Sequence, residues 1–293
     1  MFVTLGEYLA LPREPQPWIV QDLVPVGGLV NVFGKPKSGK SFFMLGVMEA
    51  IANGDPDWQG FTIHKHGPIA YLQVDTPREE WANRATKIAL RTSDAIGNIH
   101  MADMWMVPEF PFNILNPNGI NLRALKDHIE RIKPVMVVID TLREIHDGDE
   151  NDSTVMRNVI TALVAACRPD AIVLVSHSRK DGVMTASGDD DLMDQQRGSS
   201  YVSGRMDVII KVSQKRVVYK GRATGQKTYP ISQDERGFIH VEREADDAFK
   251  AAYTRLTGHS PGLSDNAIAE SLARETGISH STALRKLKQH FPK

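Results

Sequence analysis

The segment GKPKSGKS at residues 34–41 is the feature that most constrains the fold of this chain. It satisfies the pattern G-x-x-x-x-G-K-[ST] and lies between a β-branched run, GLVNVF at 28–33, and an apolar stretch, FFMLGVMEAIA at 42–52. A strand that turns through glycines into a helix presents backbone N–H groups to a phosphate at the positive end of that helix. The sequence therefore predicts a P-loop carried by an α/β sheet.

The residues of this loop have separate predicted roles. Gly34 and Gly39 let the backbone wrap a phosphate, Lys40 reaches the β and γ phosphates, and Ser41 ligates Mg²⁺. A carboxylate at the end of a neighbouring strand completes such a metal site, and Asp140 closes the run VMVVID at 135–140. The predicted cofactors are ATP and Mg²⁺. Besides Asp140, the predicted nucleotide-binding residues are Gly34, Lys35, Pro36, Lys37, Ser38, Gly39, Lys40, Ser41 and Phe42.

The rest of the chain alternates short β-branched runs with helical patterns, which is typical of a mostly parallel sheet covered by helices. Strand-like runs lie at 69–74, 135–139 and 172–175, and helical spacing follows from about residue 79, over 122–132 and over 156–167. The runs MDVIIKV at 206–212 and KRVVYK at 215–220 predict a hairpin, and GFIHVE follows at 237–242. The predicted fold is α/β, with a sheet that ends in antiparallel strands.

The length of 293 residues allows one large domain and a small appendage, since domains mostly contain about 100–200 residues. We predict an N-terminal arm at 1–27, which includes the proline-rich segment PREPQP at 12–17, and an ATPase core at 28–245. At 258–293, two helices joined by a turn at Gly277 predict a helix-turn-helix module, with the second helix opening at Ser279. Pro261 and Gly262 mark the linker before it.

Charge and cysteine content exclude several classes of protein. The formal net charge of −1 gives no global attraction to nucleic acid, so DNA contact must come from a local basic face. Cys167 is the only cysteine, which excludes an intramolecular disulfide and fits a reducing compartment. No stretch approaches the roughly 18 consecutive apolar residues of a membrane span. A cytoplasmic location without membrane contact is expected.

ATP hydrolysis also requires a group that positions or activates the attacking water. The strand that follows the P-loop helix ends at Asp75, and this carboxylate is the favoured candidate. Glu79 and Glu80 are alternatives, although carboxylates are common in a first helical turn for dipole reasons alone. His177, after the strand IVLV, is placed to hydrogen-bond a γ-phosphate or to relay its presence. A satisfied core or edge histidine is the alternative there.

The segments GKPKSGKS, YLQVD, VVIDTLREIHDGDENDS, VSHSRK and RGSS together resemble the plasmid RepA-type hexameric replicative helicases and their phage relatives. These proteins belong to the RecA-like ATPases, which also include the DnaB-type helicases. The resemblance covers residues 18–232 and implies a RecA-like fold, a homo-hexameric ring and single-stranded DNA as partner. It also implies roles for individual residues: nucleotide and metal binding for Lys40 and Ser41, catalysis for Asp75, Mg²⁺ binding for Asp140 and γ-phosphate sensing for His177.

The same resemblance implies active sites at subunit interfaces, each completed by an arginine from the neighbouring subunit. KGRATG at 220–225 looks like the K-x-R element that supplies this arginine in DnaB-type relatives, so Arg222 is the predicted finger and Lys220 its companion. A guanidinium can bridge two phosphate oxygens. Arg205 and Arg197 are rival candidates, and the K-x-R element is alternatively an exposed strand end.

Two features depart from the helicase pattern. Asp75 stands where a glutamate is usual, and its side chain is one methylene shorter. The loop at 181–196, in the region where RecA-like proteins often touch single-stranded DNA, holds five aspartates and no lysine or arginine. A phosphate backbone is repelled by such a loop. Either the flanking Arg179, Lys180 and Arg197 bind DNA, or the loop serves another purpose.

The C-terminal segment from residue 251 is basic, with six lysines and arginines against three carboxylates. Its second predicted helix offers polar residues suited to duplex DNA, although such modules also bind proteins. The leading prediction is an ATP-hydrolysing, DNA-dependent motor, a hexameric replicative helicase. The alternatives are a recombinase-like or helicase-loading ATPase and an ATP-dependent DNA-binding regulator. The polar residues of the second helix are Ser279, His280, Ser281, Arg285 and Lys288.

Overall fold

A computed structural model gives the fold of the chain. The structure describes residues 3–12, 16–89, 97–103, 113–116, 120–167, 171–178, 200–222, 224–235, 237–242, 245–259, 264–276, 280, 283–284 and 287. The strands, in chain order, are β1 (Trp18–Val20), β2 (Val24–Pro25), β3 (Leu29–Gly34), β4 (Asp57–Trp58), β5 (Phe61–Thr62), β6 (Ile69–Gln73), β7 (Ile99–Asp103), β8 (Met136–Asp140), β9 (Ala171–His177), β10 (Val208–Val212), β11 (Arg216–Gly221), β12 (Lys227–Gln233) and β13 (Ile239–Val241). The helices are α1 (Leu5–Ala10), α2 (Lys40–Asn53), α3 (Arg78–Ala89), α4 (Ile120–Ile132), α5 (Ser153–Cys167), α6 (Ser200–Arg205), α7 (Ala245–His259) and α8 (Asp265–Thr276), with a 3-10 turn at Leu142–Ile145.

A nine-stranded sheet in the order β13-β12-β11-β10-β3-β9-β8-β6-β7 forms the centre of the molecule. The strands from β10 to β7 in this order are parallel, whereas β11, β12 and β13 each pair antiparallel with their neighbour. The predicted mixed α/β fold is therefore confirmed, including its antiparallel end. The predicted hairpin is also present, as β10 and β11 with a turn closed by the Ser213 amide and the Arg216 carbonyl.

Two apolar cores cover the two faces of this sheet, because successive residues of a strand point to opposite sides. In β3, Val30 and Val32 pack with α2, while Leu29 and Phe33 pack on the side of α5. Most of α2 is buried, in agreement with its nearly uniform apolar sequence. No helix in the described ranges has both the length and the apolar character to cross a bilayer.

The N-terminal segment differs from the predicted arm at 1–27. β1 and β2 form a ribbon whose residues Ile19, Val20, Leu23 and Val24 are buried in the core beside α2. The arm therefore ends before β1, because these apolar residues lose more exposed surface in the core than an extended arm would allow. Helix α1, closed by a capping box between Thr4 and Glu7, is exposed along its length.

The C-terminal helices α7 and α8 share a separate apolar cluster. Phe249 and Ala252 of α7 pack against Ile268 and Leu272 of α8, and the described residues Ala283 and Leu287 join them. The predicted first helix of the module is therefore present as α8, and α7 extends the packed unit upstream of residue 258. Gly277, Ser279, Pro261 and Gly262 lie outside the described residues.

Candidate functional site

The predicted P-loop connects β3 to α2 at the carboxyl edge of the parallel strands. Gly34 closes β3, and a Cβ atom there would come within 2.2 Å of the Val212 carbonyl oxygen, so only glycine fits against β10. Gly39 caps α2 with a φ of 96°, in the left-handed region that glycine adopts without a steric penalty. The sequence therefore folds as a tight loop that opens directly into the helix at Lys40.

Lys40 is folded back over this loop. Its ammonium group donates hydrogen bonds to the carbonyl oxygens of Gly34 and Lys35, at 3.1 and 3.0 Å, and only 7% of the residue is exposed. Burial lowers the pKa of Lys40, and the nearby carboxylates of Asp140 and Asp75 partly offset this effect. A buried ammonium next to helix-terminal N–H groups gains from an anionic ligand such as a phosphate.

The remaining loop residues fit a phosphate-binding role to different degrees. Lys35, Pro36 and Lys37 are exposed, while Ser38 is buried, and its Oγ has no hydrogen-bond partner among the described residues. A buried hydroxyl without a partner is costly unless a ligand satisfies it. Phe42, half-buried in the first turn of α2, lies 5.9 Å from the guanidinium of Arg84.

The two predicted metal ligands lie next to each other. The Ser41 hydroxyl donates a hydrogen bond to Oδ2 of Asp140 across 3.0 Å. Asp140 is 5% exposed, and burial raises its pKa, while hydrogen bonds from Tyr71 and Ser41 act in the opposite direction. A buried carboxylate of this kind gains strongly from a cation that binds it. Ser41 and Asp140 therefore fit the binding of Mg²⁺.

Tyr71 is a residue of this site that the sequence reasoning missed. Its hydroxyl donates a 2.6 Å hydrogen bond to the same oxygen, Oδ2, of Asp140. The side chain is fully buried in β6, and burial beside Asp140 raises its pKa well above the usual value. A tyrosine in a buried strand requires a partner for its hydroxyl group, which is the signal that the sequence offered.

Asp75 and His177 lie together at the same edge of the sheet. Nε2 of His177 is 3.9 Å from Oδ2 of Asp75, although 102 residues separate them along the chain. In the sheet, His177 aligns with Gly34 at the end of β3, so both residues border the P-loop. The buried Gln73 fixes the turn before Asp75, because its side chain bonds both the amide and the carbonyl of Thr76.

The competing carboxylates occupy the first turn of α3, as their sequence position predicted. Glu80 is paired with Arg84 one turn further along the helix. Glu79 is exposed. The contact of Asp75 with His177 therefore distinguishes it from both alternatives.

Arg222, the predicted finger, lies at the opposite edge of the sheet from the P-loop. It follows Gly221, which pairs with Val208, and Val208 in turn pairs with Val30 near the start of β3. Gly34 comes four residues after Val30, or about 13 Å along the strand at about 3.3 Å per residue. The structure thus does not bring Arg222 to the P-loop of its own chain.

The other basic candidates are placed as follows. Lys220 lies in β11, opposite Ile209, one strand away from β3. Arg205 is exposed at the end of α6. Arg179, Lys180, Arg197 and the acidic loop at 181–196 lie outside the described residues.

Two comparisons relate this chain to known proteins. A family model described as AAA domain matches residues 1–183. A KaiC-like protein from the hyperthermophilic archaeon Pyrococcus horikoshii OT3 has a similar structure, with a TM-score of 0.52 and 14% identity over 78% of this chain and 99% of that chain. The ATPase domain of a phage helicase gives a TM-score of 0.51 and 18% identity over 74% of this chain and 85% of that chain. The structural likeness shows a RecA-like P-loop ATPase fold.

Proposed function

This chain belongs to the AAA domain family, and on that premise we propose that it is a DNA-dependent ATPase motor, a hexameric replicative helicase of a phage, plasmid or mobile element. ATP hydrolysis follows from family and fold, since nucleotide and metal ligands lie at one edge of a RecA-like sheet. The RepA-type resemblance of residues 18–232 supports the more specific assignment.

The observation that carries this proposal is the position of Arg222. Its own P-loop lies at the far end of β3, so a finger role requires the nucleotide site of another subunit. A site shared in this way needs head-to-tail contacts between copies, which close into a ring when the rotation permits. This geometry supports the predicted homo-hexamer.

The residues of the P-loop edge divide the chemistry between them. Lys40 and the amides at the start of α2 bind the phosphates, and Ser41 and Asp140 hold Mg²⁺. When bound, Mg²⁺ neutralises charge on the phosphate oxygens. Asp75 orients the attacking water and takes its proton, and His177 contacts the γ-phosphate end of the site.

The neighbouring subunit supplies the remaining cations. We assign Arg222 as the finger that stabilises charge developing on the transferred phosphoryl group, with Lys220 as its companion. Both residues come from β11 or directly after it, so a single rigid strand presents them together. In this proposal, single-stranded DNA is the partner of the ring, and the basic module at 258–293 provides a contact for duplex DNA.

The direct test is a strand-displacement assay on a forked duplex, run together with ATP hydrolysis. We expect the native protein to unwind the fork in an ATP-dependent reaction. Lys40→Ala and Arg222→Ala are expected to lower ATP turnover by at least about 10²-fold, the loss typical of a phosphate-stabilising group. Normal hydrolysis by Arg222→Ala would show that the finger assignment is wrong.

A second candidate function is a recombinase-like or helicase-loading ATPase that assembles on DNA without unwinding it. The shorter carboxylate at Asp75 and the acidic sequence at 181–196 favour this alternative. It predicts DNA-stimulated hydrolysis without strand displacement, and open filaments instead of closed rings with a non-hydrolysable nucleotide. Electron microscopy of these assemblies separates the two functions.

A further inference from the structure

The guanidinium group of Arg222 is held by acceptors of its own chain. Nε donates to the Met206 carbonyl oxygen at 3.0 Å, and Nη2 donates to the Gly204 carbonyl oxygen at 2.7 Å. Oδ1 of Asp207 lies 3.3 Å from Nε, and 55% of the arginine side chain remains exposed. Arg222 is therefore oriented from one side and open to solvent on another.

Asp207 is itself fixed to the central sheet. Its other carboxylate oxygen, Oδ2, accepts a 2.9 Å hydrogen bond from the amide of Leu29, the first residue of β3. Its backbone amide donates to the Leu29 carbonyl at 2.8 Å, and its carbonyl accepts from the Arg222 amide at 3.0 Å. The carboxylate thus joins the start of the P-loop strand to Arg222.

We propose that Asp207 is a positioning residue, which holds Arg222 in the orientation that enters the ATP site of the neighbouring subunit. This inference rests on the proposed function. The hydrogen bonds described use the Nε–H and one Nη2–H of the five N–H donors of a guanidinium. The contacts with Gly204, Met206 and Asp207 therefore do not use the Nη1 edge, which can bind a phosphate oxygen.

The exposure of this pair argues for orientation over stability. Arg222 and Asp207 have side-chain exposures of 55% and 41%, and ion pairs this exposed contribute little to folding. An arginine that is already ordered, however, loses less conformational freedom when it engages its target. The benefit of Asp207 is thus expected in the turnover of the neighbouring site.

Mixed rings test this inference in the full-length chain. A Lys40→Ala subunit has a defective P-loop but an intact Arg222, and an Arg222→Ala subunit has the reverse. In mixtures, the P-loop of one variant meets the finger of the other, so we expect ATP hydrolysis to return although each variant alone is inactive.

The finger donor is then changed at Asp207. Lys40→Ala/Asp207→Asn keeps the shape of the side chain and an acceptor for the Leu29 amide, but removes the charge beside Arg222. We expect the restored kcat to fall about 10-fold while KM for ATP changes less than about twofold, because a displaced catalytic group mainly affects turnover. Asp207→Ser in the same donor is a second variant with the same expected direction.

The matched control is Asp22→Asn in the donor. Asp22 forms a carboxylate–cation pair of the same 3.3 Å length, with Lys227, away from Arg222. We expect this donor to restore as much turnover as Lys40→Ala alone. Melting curves and size-exclusion profiles verify that each donor is folded and enters rings.

The outcomes separate the two levels of the proposal. If Arg222→Ala is active alone, or if no mixture recovers activity, the shared site of the proposed function is wrong. If mixtures recover and the folded Asp207→Asn and Asp207→Ser donors restore full turnover, only the role of Asp207 is overturned.

Discussion

The Ser41 hydroxyl and Oδ2 of Asp140 are joined by a 3.0 Å hydrogen bond between residues 99 positions apart in the chain. The sheet order explains this proximity, because β9 lies between β3 and β8 and pairs with both, and all three strands end at the same edge. Each ligand is fixed by regular structure, Ser41 in the first turn of α2 and Asp140 at the end of β8. The metal site is thus built on rigid elements, as precise positioning requires.

Tyr71 is predicted to tune metal binding through Asp140. Tyr71→Phe removes the 2.6 Å hydrogen bond to Oδ2 and keeps the packing of the ring. We expect the Mg²⁺ concentration for half-maximal ATP hydrolysis to rise at least about 10-fold, as is usual when an outer partner of a metal ligand is lost. Turnover at saturating Mg²⁺ should change little.

Tyr219→Phe is the control for this experiment. Tyr219 is buried in the same core, but its hydroxyl contacts Asp22 at 3.5 Å and lies away from the site. Equal Mg²⁺ dependence of Tyr71→Phe and the native protein would contradict a role for Tyr71.

The catalytic carboxylate is predicted to be Asp75. Asp75→Asn should lower kcat by at least about 10²-fold with little effect on ATP binding, since it removes the group that takes the proton of the attacking water. Glu79→Gln, only four residues away in the exposed first turn of α3, should retain near-native turnover. Single-turnover hydrolysis and nucleotide binding measured on both variants distinguish them. Comparable loss in Glu79→Gln would transfer the assignment to the helix.

Most of the nucleotide edge could be predicted from sequence because it depends on local patterns. A P-loop motif fixes its own strand, turn and helix, and the carboxyl ends of parallel strands necessarily meet at one edge. The positions of Asp140 and His177 follow from this rule. The contact of Tyr71 with Asp140 depends on which strands become neighbours, and the chain order alone does not give that order.

Other elements were missed for equally physical reasons. β12 carries Pro230 and buries only Tyr229 and Ile231, so its alternation is short and resembles a loop. β1 and β2 are two or three residues long, and only tertiary packing stabilises them. The holding of Arg222 by backbone carbonyls leaves no side-chain pattern in the sequence.

The buried charge of Asp140 should make stability depend on pH. Burial raises the pKa of Asp140 above its ordinary value of 3.8. The folded protein then holds this proton more tightly than the unfolded chain, so the contribution to stability is full below the ordinary pKa and is lost as pH rises through the folded-state pKa. Asp140→Asn cannot ionise and should escape this loss.

Denaturant unfolding of nucleotide-free protein at a series of pH values measures the effect. We expect Asp140→Asn to gain unfolding free energy relative to the native protein as the pH rises from about 4 to about 7, in a direction set by the raised pKa. A difference that stays constant or shrinks over this range would contradict a buried, destabilised carboxylate.

Arg255 is predicted to dock the C-terminal helices onto the core. From α7 it contacts Asp57 of β4 at 3.0 Å and also pairs with Glu275 of α8. Arg255→Met keeps the aliphatic stem and removes both ion pairs, so amide hydrogen exchange in α7 and α8 should accelerate.

The control for docking is Arg274→Met. Arg274 pairs with Glu270 at 3.6 Å within α8, and both side chains are largely exposed, so its loss should leave exchange nearly unchanged. Equal exchange in the two variants would show that the contact with Asp57 does not hold the helices to the core.

Steady-state ATP hydrolysis with and without single-stranded DNA tests the central claim most directly. In a DNA-dependent motor, hydrolysis by the native protein should increase when single-stranded DNA is added and should stay at background in Lys40→Ala. The same native rate with and without DNA, measured at saturating ATP and Mg²⁺, would contradict a DNA-dependent motor.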